Sequence, residues 1–203
     1  MSSTILERTY NMKKIFCTIL ALISALTFSG CGENNEAPDI SKIPQVMMFE
    51  MYENHAWGES YKLKVYTKDG GVCSLYFFRE QGNTEPTPDW ASAVDSEDWY
   101  ERLSEISENA EDKSELSEDK LNSALSNALN FGKWNDMTFK DNGVTAYDAG
   151  RNDFYGVYYD ENGTPQKTLI AYYGDNSGCR DNRGARKFAN DFLDLTNSSF
   201  KLK

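Results

Sequence analysis

The sequence predicts an α+β fold, a mainly antiparallel sheet built from hairpins with about three helices packed on it. Pairs of alternating apolar and polar runs are separated by Asp-Gly or Asn-Gly, which is a strong short-range signal of a hairpin. Other stretches place apolar residues three and four positions apart, as amphipathic helices do. The order is strands, two helices, strands and one helix, and this order favours helices packed on an antiparallel sheet.

The first three predicted strands lie between residues 45 and 78. Residues 45–53 and 61–67 alternate between two faces, and residues 72–78 follow the turn at Asp69-Gly70. Because the primed turns need a positive φ, the Asp-Gly pair predicts a hairpin. Cys73 shares a face with apolar neighbours, so we expect its side chain to point inward.

The central part of the chain predicts two helices after a loop. Residues 80–94 hold glycine, two prolines and polar residues, which indicate a loop. A helix is predicted from Asp95 or Ser96 to Asn109, and a second from Ser117 to Phe131. Each has one apolar stripe that would face a sheet.

The last third of the chain predicts two hairpins and one helix. The first hairpin spans residues 137–147, and the second joins residues 154–159 to 167–173 through an Asn-Gly turn. A loop is expected over residues 174–182. A helix over residues 183–195 has an apolar face that should dock on the sheet.

The stretch from Met12 to Cys31, MKKIFCTILALISALTFSGC, has the layout of a secretory signal peptide. A basic pair precedes an uncharged apolar run over residues 15–28. This run is too short to span a hydrocarbon layer, which needs roughly 20 residues. The sequence does not decide whether translation starts at Met1 or at Met12.

Ser29 and Gly30 before Cys31 resemble the lipobox of bacterial lipoproteins. The resemblance implies that residues 1–30 are removed and that Cys31 carries the lipid. The protein would then be anchored, on the extracytoplasmic side, to the cell membrane or the outer membrane. The alternative is an ordinary cleaved signal peptide in which Cys31 has no role. Residues 31–44 are polar and contain two prolines, so we expect a flexible tether before a single domain over residues 45–203.

Charge limits the partners. The chain has 21 basic and 32 acidic residues, a net charge of −11, and removal of residues 1–30 leaves 18 and 31, or −13. Nucleic acid is therefore not expected as a partner, because binding phosphates depends on lysine and arginine. Residues 95–119 hold eleven acidic and two basic residues, which predict a solvated helix face or, alternatively, a docking surface for a basic partner.

Two cysteines remain once Cys17 leaves with the signal peptide and Cys31 carries a lipid. Cys73 and Cys179 either form a disulfide, which export permits, or stay as separate thiols, and the pattern leaves both open. A bridge would close a loop of about a hundred residues and stabilise the fold by up to about 4–5 kcal/mol. Without a CxxC pair, neither a zinc site nor another cofactor is expected.

His55 is the only histidine and lies between two predicted strands. A general base needs a nucleophile within reach, and no GxSxG-type context occurs, so we interpret His55 as a turn residue. The acidic turns at 160–164 and 175–181 do not match an EF-hand, because position 6 would be Pro165 or Arg180 instead of glycine. They predict ordinary turns and no metal site.

Aromatic residues are abundant, with 4 Trp, 12 Tyr and 11 Phe. Tyr155, Tyr158 and Tyr172 crowd one predicted hairpin, and Trp57 lies beside His55. Such rings either pack under helices with their hydroxyls at the edge, which is the favoured interpretation, or form an exposed row that stacks on sugars or a peptide. These four are the candidate binding residues.

Three functions remain open. The preferred hypothesis is a membrane-anchored, non-catalytic module that binds a small ligand or a protein outside the cytoplasm. The second is an exported hydrolase with an acidic, metal-assisted site. The third is a structural lipoprotein that docks through its acidic helices. An exposed aromatic platform would favour the first, a deep acidic cleft the second, and a broad flat patch on residues 97–109 the third.

Overall fold

The computed structural model describes residues 39–111, 113–144 and 150–192. The predicted signal peptide, Cys31 and most of the predicted tether lie outside these residues. So do residues 145–147 of the predicted hairpin and residues 193–195 of the predicted last helix. The described chain from Ile40 onward belongs to one compact unit, and its fold is α+β, as predicted.

Eight strands form one antiparallel sheet in the order β4-β3-β2-β1-β6-β7-β8-β5. The strands are β1 (Val46–Asn54), β2 (Gly58–Thr67), β3 (Gly71–Glu80), β4 (Lys113–Glu115), β5 (Phe139–Val144), β6 (Arg151–Tyr159), β7 (Pro165–Gly174) and β8 (Asn176–Arg180). The predicted hairpin turns are confirmed, because Gly70 and Gly163 have φ of +94° and +78°, a region that glycine enters at little cost.

Four α-helices accompany the sheet in the described residues. They are α1 (Trp99–Asn109), α2 (Glu118–Ala128), α3 (Phe131–Asn135) and α4 (Arg183–Phe192), and there are two short 3₁₀ helices, Ile40–Lys42 and Asp89–Asp95. Within the described ranges, the helices fall short of the length and apolar character needed to cross a bilayer.

Both faces of the sheet carry a core. On the α1 face, α1 and the second 3₁₀ helix cover a cluster that includes Phe49, Leu63, Cys73, Val94 and Leu103. On the opposite side, which we call the three-helix face, α2, α3 and α4 cover a larger cluster that includes Met48, Tyr66, Ala128, Phe131, Trp134, Phe154, Ile170, Phe188 and Phe192. The helices therefore pack on two faces of the sheet, not on one.

Helix α4 shows why its sequence is helical. Ala185, Phe188, Ala189 and Phe192 recur at helical spacing and are all buried. The ring of Phe188 lies 5.8 Å from Phe131 and 5.3 Å from Phe192 between centroids. Burial of this stripe is the main force that holds the helix on the sheet.

Two predictions about the last third of the chain are wrong. In the described part of the predicted hairpin over residues 137–147, the residues Phe139–Val144 form one strand, β5, across the predicted turn, and β5 pairs with β8. Residues 174–182 are not simply a loop, because they contain β8, whose residues have low strand propensity. A Cβ at Gly178 would lie 2.7 Å from the rings of Phe139 and Tyr172. The missing side chain lets those rings stack across the backbone, and tertiary packing overrides propensity.

Three boundaries also differ from prediction. The predicted loop over residues 80–94 contains most of the 3₁₀ helix Asp89–Asp95, whose Ala93 is fully buried. The second predicted helix divides into α2 and α3. The predicted tether is too long, because Ile43 is only 1% exposed and belongs to the three-helix core.

Candidate functional site

On the three-helix face, five side chains form a row across β3, β2, β1, β6 and β7. The row is open to solvent at its β3 end and buried at β6, where Asn152 is 7% exposed. The register places Lys62 opposite both Tyr76 and Tyr52, and Asn152 opposite both Tyr52 and Tyr173. We call Tyr76, Lys62, Tyr52, Asn152 and Tyr173 the aromatic row. Paired residues of antiparallel strands project to the same side, so the row places three phenol rings on one side of the sheet. Tyr76 is exposed, Tyr52 is half-buried, and Tyr173 packs against the three-helix core.

Lys62 lies between two of these rings. Its Nζ is 5.3 Å from the centroid of Tyr52 and 5.4 Å from that of Tyr76, which is within the range of a cation–π contact. The Tyr52 hydroxyl also accepts a hydrogen bond of 3.0 Å from Asn54 Nδ2. These contacts limit the rotamers of the rings, and a surface whose side chains are already ordered loses less entropy when it binds.

The open end of the row is unusually apolar for a surface. Tyr76 is 61% exposed and Phe78, next on the same face of β3, is 47% exposed. Lys62 and Lys64 are also exposed and bring positive charge to this surface in a chain whose net charge is −11. Aromatic residues are enriched, and acidic ones depleted, in the centres of protein interfaces.

A buried carboxylate lies behind the row. Glu50 is 7% exposed. It accepts hydrogen bonds from the Tyr66 hydroxyl and from Asn152 Nδ2, the latter at 3.0 Å. Asn152 also hydrogen-bonds to the Tyr173 hydroxyl. The network connects the interior of the sheet to one end of the row, so it fixes where Asn152 and Tyr173 project.

The network also changes the pKa of two tyrosines, Tyr66 and Tyr173. Burial, followed by the nearby charge of Glu50, raises the pKa of Tyr66 well above its usual range, and the same two causes raise the pKa of Tyr173. Both phenols therefore keep their protons at neutral pH. The Tyr66 hydroxyl donates to Glu50 and the Tyr173 hydroxyl accepts from Asn152, and neither phenol is ionised to act as a base or nucleophile.

His55 lies where the sequence places it, in the turn between β1 and β2. Its Nε2 is 2.5 Å from Glu53 Oε1, and both side chains are about half exposed. It lines two adjacent hollows of 460 and 250 Å³, one with Arg151 and the other with Arg79. Among the described residues, neither hollow is lined by serine, threonine or cysteine, so no side-chain nucleophile of these types lies beside the Glu53–His55 pair there.

Metal-assisted chemistry receives no support from the described part of the chain. Over residues 39–111, 113–144 and 150–192, no three His, Cys, Asp or Glu side chains converge as a metal site would require. The acidic residues Glu101, Glu105 and Glu108 of α1 are exposed and follow one side of the helix, as a solvated face does.

The four candidate binding residues do not form one surface. Tyr155 lies on the α1 face and stacks on Phe49 at 4.6 Å. Tyr158 packs on the three-helix core, and Tyr172 is buried. These tyrosines follow the favoured interpretation of rings that pack within the fold. Trp57 is 82% exposed in the turn and remains a candidate contact.

The cysteines remain separate. Cys73 and Cys179 are both free and buried. They belong to the cores of opposite faces and to strands five steps apart in the sheet. Five steps correspond to about 24 Å, whereas a disulfide needs Cα atoms within about 7 Å. An intramolecular bridge is therefore excluded. Burial raises the pKa of both thiols, which makes them poorly reactive.

The row itself was missed by the sequence analysis, although part of its signal was present. The alternation of β2 separates Lys62, Lys64 and Tyr66 from the apolar residues. Sequence alone could not show that Tyr76 and Tyr52 flank Lys62, because this requires the register of three strands. The partner Asn152 comes from about a hundred residues further along the chain.

Comparison with known proteins gives no relative for this architecture. No protein-family model, curated protein or solved structure matches the chain.

Proposed function

We propose that the protein is a lipid-anchored, extracytoplasmic binding module without catalytic activity. It holds a partner protein on the aromatic row and the adjoining Phe78. The lipid on Cys31 keeps this surface at the membrane, and residues 32–38 connect it to the folded domain.

The lipid anchor is supported by the sequence of residues 12–31. A basic pair, a short apolar run and small residues before Cys31 resemble a lipobox. The acidic mature chain would not adsorb to anionic lipid by charge. A covalent lipid is therefore the means of attachment that fits the composition.

The binding role is supported chiefly by the exposure of Tyr76 and Phe78 beside two lysines. Leaving large rings in water is unfavourable, and contiguous apolar patches on a surface are typical of interaction sites. The partner that fits is a protein that offers apolar side chains to the rings and carboxylates to Lys62 and Lys64. The Glu50 network gives the surface a fixed shape without supplying a reactive group.

The proposal is tested with the full chain in intact cells. A photoreactive phenylalanine analogue replaces Tyr76 in one variant. In a matched control it replaces Tyr159, another tyrosine of the sheet, 38% exposed, which lies on the α1 face. We expect a discrete cross-linked adduct from position 76 only, in the membrane fraction, and this adduct should contain a polypeptide other than this chain. In a Cys31→Ser background, the protein and the adduct should both become soluble.

Each part of the proposal has its own contradicting result. Equal adducts from positions 76 and 159, or none from either, would remove the binding surface. Unchanged membrane retention of the Cys31→Ser variant would remove the lipid anchor.

A further inference from the structure

The outer edge of β3 is open over most of its length. Strand β4 pairs only with Gly71, Val72 and Cys73. Among the described residues, no strand pairs with the outer side of Ser74–Glu80. Within SLYFFRE, Glu80 O is engaged by Asn83 N at 3.1 Å, so the outer backbone groups available for pairing among the described residues are chiefly those of Tyr76 and Phe78. Open, apolar edges of this kind are templates for another strand.

The contacts of β4 show which backbone groups point outward. On the β4 side of β3, Leu116 N donates to Gly70 O at 2.9 Å, and Ser114 Oγ donates to Val72 O at 3.5 Å. Because the N–H and C=O groups of alternate residues point to the same side of a strand, those of Tyr76 and Phe78 also point outward. The groups of Phe77 point to β2.

We propose that a second copy of this chain pairs its β3 with this edge, antiparallel, about a two-fold axis at Phe77. Tyr76 then lies opposite Phe78 of the second copy, Phe77 opposite its counterpart, and Leu75 opposite Arg79. Each Tyr76–Phe78 pair exchanges two backbone hydrogen bonds, and its rings adjoin on the three-helix face. Aromatic cross-strand pairs are among the most stabilising in sheets.

Charge and space both favour this register. It puts no like charges opposite each other, since Arg79 faces Leu75 and Glu80 approaches Ser74. A shift of the axis to residue 79 would set Arg79 against its counterpart, which is destabilising. A shift toward Gly71 would run the incoming strand into β4. A contact about a two-fold axis is closed, so it yields a dimer and no fibre.

The inference goes beyond the proposed function and does not depend on it. The dimer uses the backbone edge of β3 and sets Tyr76 of each copy beside Phe78 of the other, whereas partner binding uses the remaining outer surface of these rings together with Lys62 and Lys64. In the dimer, the two aromatic rows lie on the same side of one continuous sheet, so two binding surfaces face the same way.

Register-specific cross-linking tests the pairing in membranes that contain the full chain. In the proposed register, the Cα atoms of the two Phe77 residues are about 4.5 Å apart, which is within the disulfide range of about 4.4–6.8 Å. The Phe77→Cys variant should therefore form a covalent dimer on mild oxidation. The matched control is Ser74→Cys, whose two Cα atoms lie about 20 Å apart, because six residues separate them along the strands.

A second measurement does not depend on the engineered thiol. Light scattering of the full chain in detergent should give a protein mass of two chains, and Phe77→Lys should reduce it to one, because it would set two like charges directly opposite each other. Circular dichroism confirms that each variant is folded. A single-chain mass for the unmodified protein would overturn the proposal. Cross-linking of Ser74→Cys as readily as Phe77→Cys would overturn the register.

Discussion

Two parts of the three-helix face are made by the same strands and differ in what covers them. In the covered part, Phe154 and Tyr66 lie under the rings of Phe188 and Phe192 of α4. In the open part, no helix of the described residues covers Tyr76, which is 61% exposed. Both parts show the alternation of an ordinary sheet. The difference teaches that the strand pattern decides which face a side chain joins, whereas the reach of the helices decides whether it becomes core or surface.

The two parts also use tyrosine differently. Tyr66 is 5% exposed and donates its hydroxyl hydrogen bond to the buried Glu50. Tyr76 turns a similar ring toward solvent beside Lys62. One tyrosine completes a buried polar network, and the other supplies contact area for binding. Matched substitutions in the two parts separate these roles.

The largest contrast is expected from removing one phenylalanine in each part. Phe188→Ala should lower the free energy of unfolding by about 3–5 kcal/mol, because it leaves a cavity among four other rings. Phe78→Ala, on the same face but 47% exposed, should change it by no more than about 0.5 kcal/mol. Denaturant unfolding at concentrations where the chain is a single copy measures both. Similar losses for the two variants would show that the open part is not open in solution.

A smaller contrast is expected from removing one hydroxyl in each part. Tyr66→Phe takes a donor from buried Glu50 and should cost about 1–3 kcal/mol, the usual penalty for a buried polar group that loses its partner. Tyr76→Phe should be nearly neutral for stability. Urea midpoints compared at constant slope give the two values, and an unchanged midpoint for Tyr66→Phe would contradict the role given to Glu50.

The smallest effect is expected in how stability depends on alkaline pH, where the unmodified protein is compared with a variant of Tyr155 on the α1 face. Burial, with help from Asp153, raises the pKa of Tyr155 from its ordinary 10.0 to about 12. The folded chain therefore holds this proton more tightly than the unfolded chain does. Its contribution is complete below pH 10 and is lost as pH rises toward 12. Stability measured from pH 9 to 12 should fall less steeply in Tyr155→Phe, and equal slopes would contradict the assignment.

Much of the fold was predictable because its signals are local. The Asp-Gly and Asn-Gly turns predicted two hairpins, and the apolar stripe of residues 185–192 predicted α4. Strand β8 was not predictable, since the residues NSGCR become a strand only through ring packing across Gly178. Likewise, the sequence predicts a local hairpin for the residues of β5, because the strand with which β5 pairs, β8, has no strand signal of its own.

The candidate site was less predictable than the fold. The tyrosines that crowd residues 155–172 were the predicted binding residues, but they pack within the fold. The aromatic row instead combines side chains from strands at both ends of the domain. Its register depends on long-range pairing, and its exposure depends on where α4 covers the sheet. Neither the register nor the exposure of the row can be read from a short stretch of the sequence. For the same reason the sequence left open whether Cys73 and Cys179 form a disulfide, because sequence spacing does not give the positions of two strands in a sheet.

The burial of Ile43 has a mechanical consequence. The chain enters the domain through Ile43 and passes directly into β1, which is bonded on both sides, to β2 and to β6. A force applied to the segment before Ile40 would act along an inner strand and load both ladders in shear. Such a force would not separate an edge strand from the sheet by breaking its hydrogen bonds one after another. A domain held by its amino-terminal end is thus attached through one of the strands best able to resist tension.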